Sequence, residues 1–177
     1  MFTLTTDSAV DVFRSELDEL GVFWVPLTFT IDGVTYEDDF SDDAKYKEFY
    51  DKVRAGALPV TSQINPFTHE EFWEKVIEKT GPTDIVHLTL SSGLSETYSS
   101  ACKAAESFME KHPDSRVYVV DSLAATQAEM PVFETALRCA TRARTRQPRR
   151  KRFGRTLTAY RCILSRTIFS ISNAAGG

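Results

Sequence analysis

The sequence predicts an α/β fold, a mostly parallel sheet flanked by helices, followed by a disordered or poorly defined C-terminal tail. Short apolar runs alternate with helical patterns of about a dozen residues or more, and connections of that length join parallel strands through right-handed crossovers. Three of the runs end in polar turns, at Asp7-Ser8, Ser91-Ser92-Gly93 and Asp121-Ser122. Because parallel strands end at one edge of a sheet, where such sheets bind ligands, we expect these turns to converge. The two aspartates are expected to brace loops and not to catalyse.

Four elements are predicted before residue 37. They are a strand over 2–6, a helix over 10–20 that ends at Gly21, a strand over 22–27 and a hairpin over 28–36. The helix is indicated by apolar residues at helical spacing, from Val10 to Leu20. The hairpin is indicated by alternating apolar residues around Asp32-Gly33, a dipeptide typical of two-residue turns.

The middle of the chain predicts two helices separated by a loop. The first begins with a cap at Ser41, and its buried stripe is expected at Tyr46, Phe49, Tyr50 and Val53. A hydroxyl-rich loop over residues 59–66 leads to the second helix. The cap of that helix is either Asn65, with Pro66 at the first helical position, or Thr68 in a capping box.

A strand over residues 84–90 ends in the serine turn, Ser91-Ser92-Gly93, after which come a helical pattern and a last strand over 116–120. The N-terminus of a helix carries unpaired N–H groups and partial positive charge, which favour an anionic ligand. Glycine lets the backbone approach such a ligand closely. We interpret the serine turn as a cradle for a carboxylate or phosphate, with backbone amides around Gly93 as donors. The alternative is a plain strand-to-helix turn with capping serines.

Catalysis by the serine turn is not predicted. His87 shares a strand face with Ser91, but four residues at about 3.3 Å each separate them, and a general base must lie within roughly 3 Å of its nucleophile. His87 is therefore expected in the core, and His69 and His112 in solvent. No metal-ligand spacing is present, so neither a metal nor a cofactor is expected. The alternative function, a serine-dependent esterase or other hydrolase, requires a His or Lys within hydrogen-bond reach of Ser92.

Charge is distributed unevenly along the chain. The net charge is -4, but residues 131–177 contain ten Arg and one Lys against Glu134 alone, which leaves ten basic and 24 acidic residues among residues 1–130. The Arg-rich stretch 138–155 suits a nucleic-acid-binding protein in charge, yet it lacks a helical face and interleaved aromatic residues. We expect one domain over residues 1–129, no domain over 130–177 and no nucleic-acid partner.

The composition fits a cytoplasmic protein. The longest apolar runs are far shorter than the roughly 20 residues that span a bilayer, and no secretory signal is expected at the N-terminus. Cys102, Cys139 and Cys162 are scattered without CxxC spacing, which indicates reduced thiols. We therefore expect a cytoplasmic location and no membrane span.

Several short motifs, ordered and properly spaced, resemble those of the DegV family. They are Thr6-Asp7-Ser8-Ala9, Val25-Pro26-Leu27, Thr61-Ser62-Gln63, Leu90-Ser91-Ser92-Gly93-Leu94-Ser95, Thr97-Tyr98 and Val120-Asp121-Ser122. The resemblance covers residues 1 to about 129. It implies a bacterial protein that binds a long-chain fatty acid between two α/β domains, with Thr61 and Ser92 holding the lipid carboxylate. It also implies a carrier that presents the fatty acid to a fatty acid kinase, so that the chemistry belongs to the kinase and this chain is not an enzyme.

The chain departs from the family pattern in three places. Glu96 stands where Gly is usual, and a negative charge near an anion site opposes binding by a fraction of a kcal/mol to about 1 kcal/mol. Ile64 stands where Pro is common. Beyond about residue 129 the pattern is lost, while codons for residues 168–177 permit, two nucleotides downstream, the Leu-Gln-Tyr-Leu-Lys-Arg-Gly-Gly expected of the family. We therefore expect a frameshift between about residues 127 and 131, an out-of-frame tail and no second domain.

Overall fold

The computed structural model describes residues 2–39, 43–145 and 163. Its strands are β1 (Phe2–Asp7), β2 (Phe23–Val25), β3 (Thr28–Ile31), β4 (Val34–Glu37), β5 (Val60–Ser62), β6 (Asp84–Thr89) and β7 (Val117–Asp121). Its helices are α1 (Arg14–Leu20), α2 (Asp43–Arg54), α3 (Pro66–Thr80), α4 (Thr97–Lys111) and α5 (Met130–Thr145). Short 3₁₀ turns, Ser8–Val10 and Thr126–Ala128, follow β1 and β7. This alternation of strands and helices confirms the predicted α/β class.

A four-stranded parallel sheet forms the centre of the fold, in the order β2-β1-β6-β7. Every residue of β1 and β6 is buried, because helices cover both faces of the sheet. On one face Leu4 packs in a cluster with Phe133 of α5. On the other, Ile85 packs with Trp73 of α3 and Phe108 of α4. Because both faces are covered, the polar side chains of β1 are buried as well as its apolar ones.

A second, three-stranded sheet has the order β4-β3-β5 and is antiparallel. The predicted hairpin is confirmed, since Asp32 and Gly33 both have positive φ, at 50° and 80°, as a tight two-residue turn requires. The predicted hydroxyl-rich loop is partly wrong, because residues 60–62 form β5. Its Thr61 lies opposite Phe29 of β3, and the free edge of β3 supplies the backbone partners for this pairing.

Two predicted helices differ in detail from the structure. The helix expected from Val10 starts only at Arg14, because the Asp7 carboxylate caps a separate 3₁₀ turn that closes at Asp11 in the left-handed conformation. The stripe expected on α2 is not a core face, since Tyr50 is 53% exposed. Instead, Phe49 packs edge-on against Phe29 of the second sheet, at 5.0 Å between ring centres. The cap expected at Ser41 lies outside the described residues.

Helix α5 includes residues 138–145, the first part of the Arg-rich stretch that was predicted to lack a helical face. Its buried side chains, Val132, Phe133, Ala136 and Ala140, join the cluster on β1, and Ile163 lies buried in the same cluster. Arg138 and Arg142 are exposed, and Arg138 lies 3.8 Å from Glu134 one turn earlier. The remainder of the Arg-rich stretch lies outside the described residues. No helix within the described ranges is long and apolar enough to cross a membrane.

Candidate ligand-binding site

The three polar turns meet at the carboxyl edge of the parallel sheet, as predicted. The Asp7 carboxylate accepts the N–H groups of Ala9 and Leu90, at 3.0 and 2.9 Å. The Asp121 carboxylate accepts the N–H groups of Ser92 and Leu123, at 3.1 and 3.0 Å. Each aspartate therefore accepts one N–H from its own turn and one from the residues that follow β6, Leu90 for Asp7 and Ser92 for Asp121. This confirms the bracing role expected for both residues.

The backbone amides of the serine turn are already paired within the protein. The N–H of Ser91 donates to the Ala124 carbonyl at 2.8 Å, that of Ser92 donates to Asp121, and that of Gly93 donates to the Ser91 hydroxyl at 3.1 Å. Helix α4 begins only at Thr97, so its N-terminus is not part of the turn. The expectation that amides around Gly93 cradle an anion is therefore wrong. Sequence reasoning missed it because Asp121, which takes the Ser92 amide, lies 29 residues away.

The serine hydroxyls differ in what they bind. Ser91 accepts the Gly93 amide, and the Ser95 hydroxyl pairs with the Thr97 hydroxyl at 2.9 Å. Ser92 is exposed, and in the described part of the chain its hydroxyl has no hydrogen-bond partner. Of the three serines between residues 91 and 95, Ser92 is the one with a hydroxyl available to a ligand.

Thr61 lies on the second sheet and is exposed, and its hydroxyl likewise has no partner among the described residues. No hydrogen bond joins it directly to Ser92. The link between their segments is made further along each of them, where the Ile64 N–H donates to the Thr97 hydroxyl at 3.3 Å. Ile64 and Thr97 are both buried. The structure thus anchors the segment that carries Thr61 to the segment that carries Ser92 through one buried contact.

A buried carboxyl that sequence reasoning missed, Glu129, lies between the Thr126–Ala128 turn and α5. Neither of its carboxyl oxygens has a hydrogen-bond partner within the described residues. Burial, and then the charges of Asp7 and Asp121, raise the pKa of Glu129 to about 9. Burial also raises the pKa of Asp7 to about 6, against the opposing effect of its two N–H bonds. At neutral pH Glu129 is therefore protonated. The only sequence signal is an acid placed directly before the apolar face of a helix.

Glu96, the residue expected to weaken an anion site, is engaged with its own helix. Its carboxylate accepts the Ser99 hydroxyl at 2.7 Å, and its carbonyl accepts the Ser100 N–H at 2.9 Å in the first turn of α4. A negative charge at a helix N-terminus interacts favourably with the helix dipole. These contacts give Glu96 a structural role at the start of α4.

The histidines lie away from the serine turn. His87 is in the core as predicted, with its Nδ1 2.9 Å from the Thr5 hydroxyl. The prediction that His69 faces solvent is wrong, because it is fully buried and stacks on Trp73 at 5.4 Å between ring centres. His69 and Trp73 are four residues apart in α3 and therefore share a helix face. That face packs against the parallel sheet, with the centre of the His69 ring 5.1 Å from that of His87 on β6. Of the two predicted caps, the structure has Asn65, which accepts the Thr68 N–H at 2.9 Å.

Burial lowers the pKa of His69 to about 4 and that of His87 well below its usual value. Both rings are therefore neutral at physiological pH. The hydrolase alternative needs a His or Lys bonded to Ser92, and the described residues supply none. Nor do they contain a group of three or more His, Cys, Asp or Glu side chains able to hold a metal ion.

Comparison with known proteins identifies the family. The sequence model of the DegV family, described as uncharacterised proteins, matches residues 1–160. The chain belongs to the DegV family. A DegV domain-containing protein of Clostridium perfringens is 37% identical over 124 residues, which are 70% of this chain and 42% of the relative. A DegV domain-containing 15.5 kDa protein of Staphylococcus aureus is 31% identical over 119 residues, covering 67% of this chain and 79% of the relative.

Solved structures share this DegV fold. A protein from Thermotoga maritima, described as revealing a fatty-acid-binding function, superposes with a TM-score of 0.73 at 26% identity, over 98% of this chain and 56% of that one. A DegV family protein from Thermus thermophilus, described by its fatty-acid binding, has a TM-score of 0.69 at 28% identity, over 92% and 53%. The chain thus spans about half the length of these structures and of the Clostridium relative.

Proposed function

We propose that this DegV chain binds a fatty acid and that the hydroxyls of Thr61 and Ser92 hold its carboxylate. The observation that carries the proposal is the contrast among the hydroxyls at this edge. Those of Ser91, Ser95 and Thr97 are paired within the protein, whereas those of Thr61 and Ser92 are exposed and unpaired within the described chain. The fatty-acid binding described for the Thermotoga and Thermus proteins supports the same ligand class.

Hydroxyl donors suit this ligand. A hydroxyl that donates to a carboxylate makes a short, charge-assisted hydrogen bond, roughly twice as strong as a neutral one. Leu94 directly follows the serine turn and is 69% exposed. Leu123 is 49% exposed, and its N–H donates to the same Asp121 carboxylate as the Ser92 N–H, so apolar surface adjoins the polar donors. A polar head group and an apolar chain are thereby accommodated at one edge. In the whole carrier, we propose, the fatty acid is presented to a fatty acid kinase, which performs the chemistry.

The test is a titration of the 177-residue protein with decanoate below its micelle concentration, followed by ¹H–¹⁵N chemical shifts. We expect saturable shifts centred on residues 61–62 and 91–95. Ser92→Ala and Thr61→Val each remove one charge-assisted hydrogen bond, so each is expected to weaken binding about tenfold or more. Ser62→Ala, which removes an exposed hydroxyl from the opposite side of β5, is the matched control and should bind like the parent.

Methyl decanoate separates recognition of the head group from adsorption of the chain. It keeps the apolar chain but removes the carboxylate charge, so the proposal requires it to bind much more weakly than decanoate. Equal affinity for both ligands, or unchanged decanoate affinity in Ser92→Ala, would refute the proposed role of the hydroxyls. Detection of a copurifying fatty acid by mass spectrometry of the organic extract would add the chain length that the native protein selects.

A further inference from the structure

The two hydroxyls of the proposed site belong to different sheets. Thr61 lies on β5 of the antiparallel sheet, and Ser92 follows β6 of the parallel sheet. A carboxylate held by both donors requires a fixed separation between them, since hydrogen-bond strength falls steeply with distance and angle. Something must therefore hold the segment around residue 61 against the serine turn.

The contact that does so is buried and specific. The Ile64 N–H, three residues beyond Thr61, donates to the Thr97 hydroxyl at 3.3 Å. Both residues are nearly inaccessible, with Ile64 4% and Thr97 0% exposed. A buried N–H left without an acceptor costs about 1–3 kcal/mol, so this pairing strongly favours one placement of residues 61–64 relative to the start of α4.

Ser95 orients the Thr97 hydroxyl. The Ser95 hydroxyl lies 2.9 Å from that of Thr97 and also accepts the Thr97 N–H at 3.2 Å. The two hydroxyls share one hydrogen bond, in which either can be the donor, while Thr97 Oγ1 accepts the Ile64 N–H. This arrangement aims a lone pair of Thr97 at Ile64. The Ser95 N–H in turn donates to the Ser91 carbonyl at 3.2 Å, which links this hydroxyl pair to the serine turn.

We propose that Thr97 is a positioning residue for the ligand-binding site: it fixes the Thr61 segment against the serine turn without contacting the ligand. The expected effect of Thr97 on ligand affinity rests on the proposed function. Its expected effect on the placement of residues 61–64 rests on the Ile64–Thr97 contact alone. These two consequences are measured separately. A role confined to general stability would alter neither of them specifically.

The variants are Thr97→Val, which keeps the shape and removes the acceptor, and Thr97→Ser, which restores it. Thr3→Val is the matched control, because Thr3 is also a buried threonine but lies at the start of β1, away from the carboxyl edge. Ser95→Ala removes the orienting partner and serves as the test should Thr97→Val fail to fold. Thermal unfolding of each variant establishes how far global stability has changed.

The first readout is amide hydrogen exchange at Ile64, which needs no ligand. Loss of one hydrogen bond predicts exchange about fivefold to tenfold faster in Thr97→Val, with β1 amides unchanged, restoration in Thr97→Ser and no effect in Thr3→Val. The second readout is decanoate affinity, expected to fall about fivefold or more in Thr97→Val and to recover in Thr97→Ser. Both results together support the positioning role.

Two results would overturn it. Unchanged Ile64 exchange in Thr97→Val would show that the contact does not hold the segment. Faster exchange with parental decanoate affinity would show that the contact holds the segment but does not position the site. Failure of the parent protein to bind decanoate is a different result: it overturns the proposed function and with it the role of Thr97 in binding, while Ile64 exchange still decides whether Thr97 holds the Thr61 segment.

Discussion

Glu129 allows the sharpest test of the electrostatics at this edge, through the substitution Glu129→Gln. Its pKa is raised from 4.5 to about 9, so at pH 7 the folded protein keeps the proton that the unfolded chain loses. Ionisation of Glu129 stabilises the unfolded state relative to the folded state by about 1.4 kcal/mol for each pH unit above 4.5. By pH 7 this stabilisation amounts to about 3 kcal/mol. Gln cannot ionise in either state, so the substitution is expected to stabilise the fold by up to this amount.

The sign follows from the direction of the shift. The contribution of a carboxyl with a raised folded-state pKa is fully present below pH 4.5 and is lost as pH rises towards about 9. The difference in unfolding free energy between Glu129→Gln and the parent should therefore be near zero at pH 4.5 and grow by about 1.4 kcal/mol per unit up to pH 7. Other titrating groups, including the histidines, largely cancel in this difference.

Urea unfolding of both proteins at half-unit intervals from pH 4.5 to 7.5 measures the difference directly. Glu134→Gln is the control, because Glu134 is exposed and its pairing with Arg138 is a surface ion pair, worth at most about 1 kcal/mol. A difference that does not change with pH, or a destabilised Glu129→Gln protein at pH 7, would refute the assignment of a protonated, unpaired Glu129.

Two further predictions concern buried titratable groups. Asp7→Asn is expected to destabilise the fold by about 1–3 kcal/mol at pH 7 despite the raised pKa of Asp7. The N–H groups of Ala9 and Leu90 bind different oxygens of the carboxylate, and Asn replaces one of those acceptors with an NH₂ donor. Stabilisation in urea unfolding would contradict this. Burial lowers the pKa of His69 from 6.5 to about 4, so this residue alone should contribute a loss of up to about 3 kcal/mol in the unfolding free energy as pH drops from 6.5 to 4. His69→Phe should show a shallower loss over the same range in urea unfolding, and an unchanged slope would contradict the neutral, buried ring.

The polar strand ends were predictable because a single rule governs them. Apolar runs that stop at Asp7, Ser91 and Asp121 must stop at the same edge of a parallel sheet, and they do. Sequence distance does not matter to that argument. The hairpin was predictable for a related reason, since Asp32-Gly33 fixes its turn within four residues.

The errors share one cause, which is a partner remote in sequence. Thr61 lies on a strand because the edge of β3 is available for pairing. The sequence around residue 61 contains no sign of that distant partner. The amides of the serine turn are unavailable because Asp121 takes one of them. His69 is buried because its ring packs against that of His87 on β6, which lies 18 residues further along the chain. Local patterns leave such choices open, and packing decides them.

The candidate site offers hydroxyl groups, and not cationic side chains, as donors to an anion. Within the described chain, no Lys or Arg side chain pairs with Asp7, Asp121 or Glu129, and the serine-turn amides are occupied. A carboxylate in the proposed site would meet hydroxyl dipoles beside the Asp121 carboxylate, which accepts the Ser92 N–H. Protonation of Glu129 removes a second negative charge from this edge at neutral pH. Asp7 and Asp121, whose charges help to raise the pKa of Glu129, accept the N–H groups of Leu90 and Ser92. The protonation state of this buried acid is therefore coupled to the two aspartates that hold the end of β6.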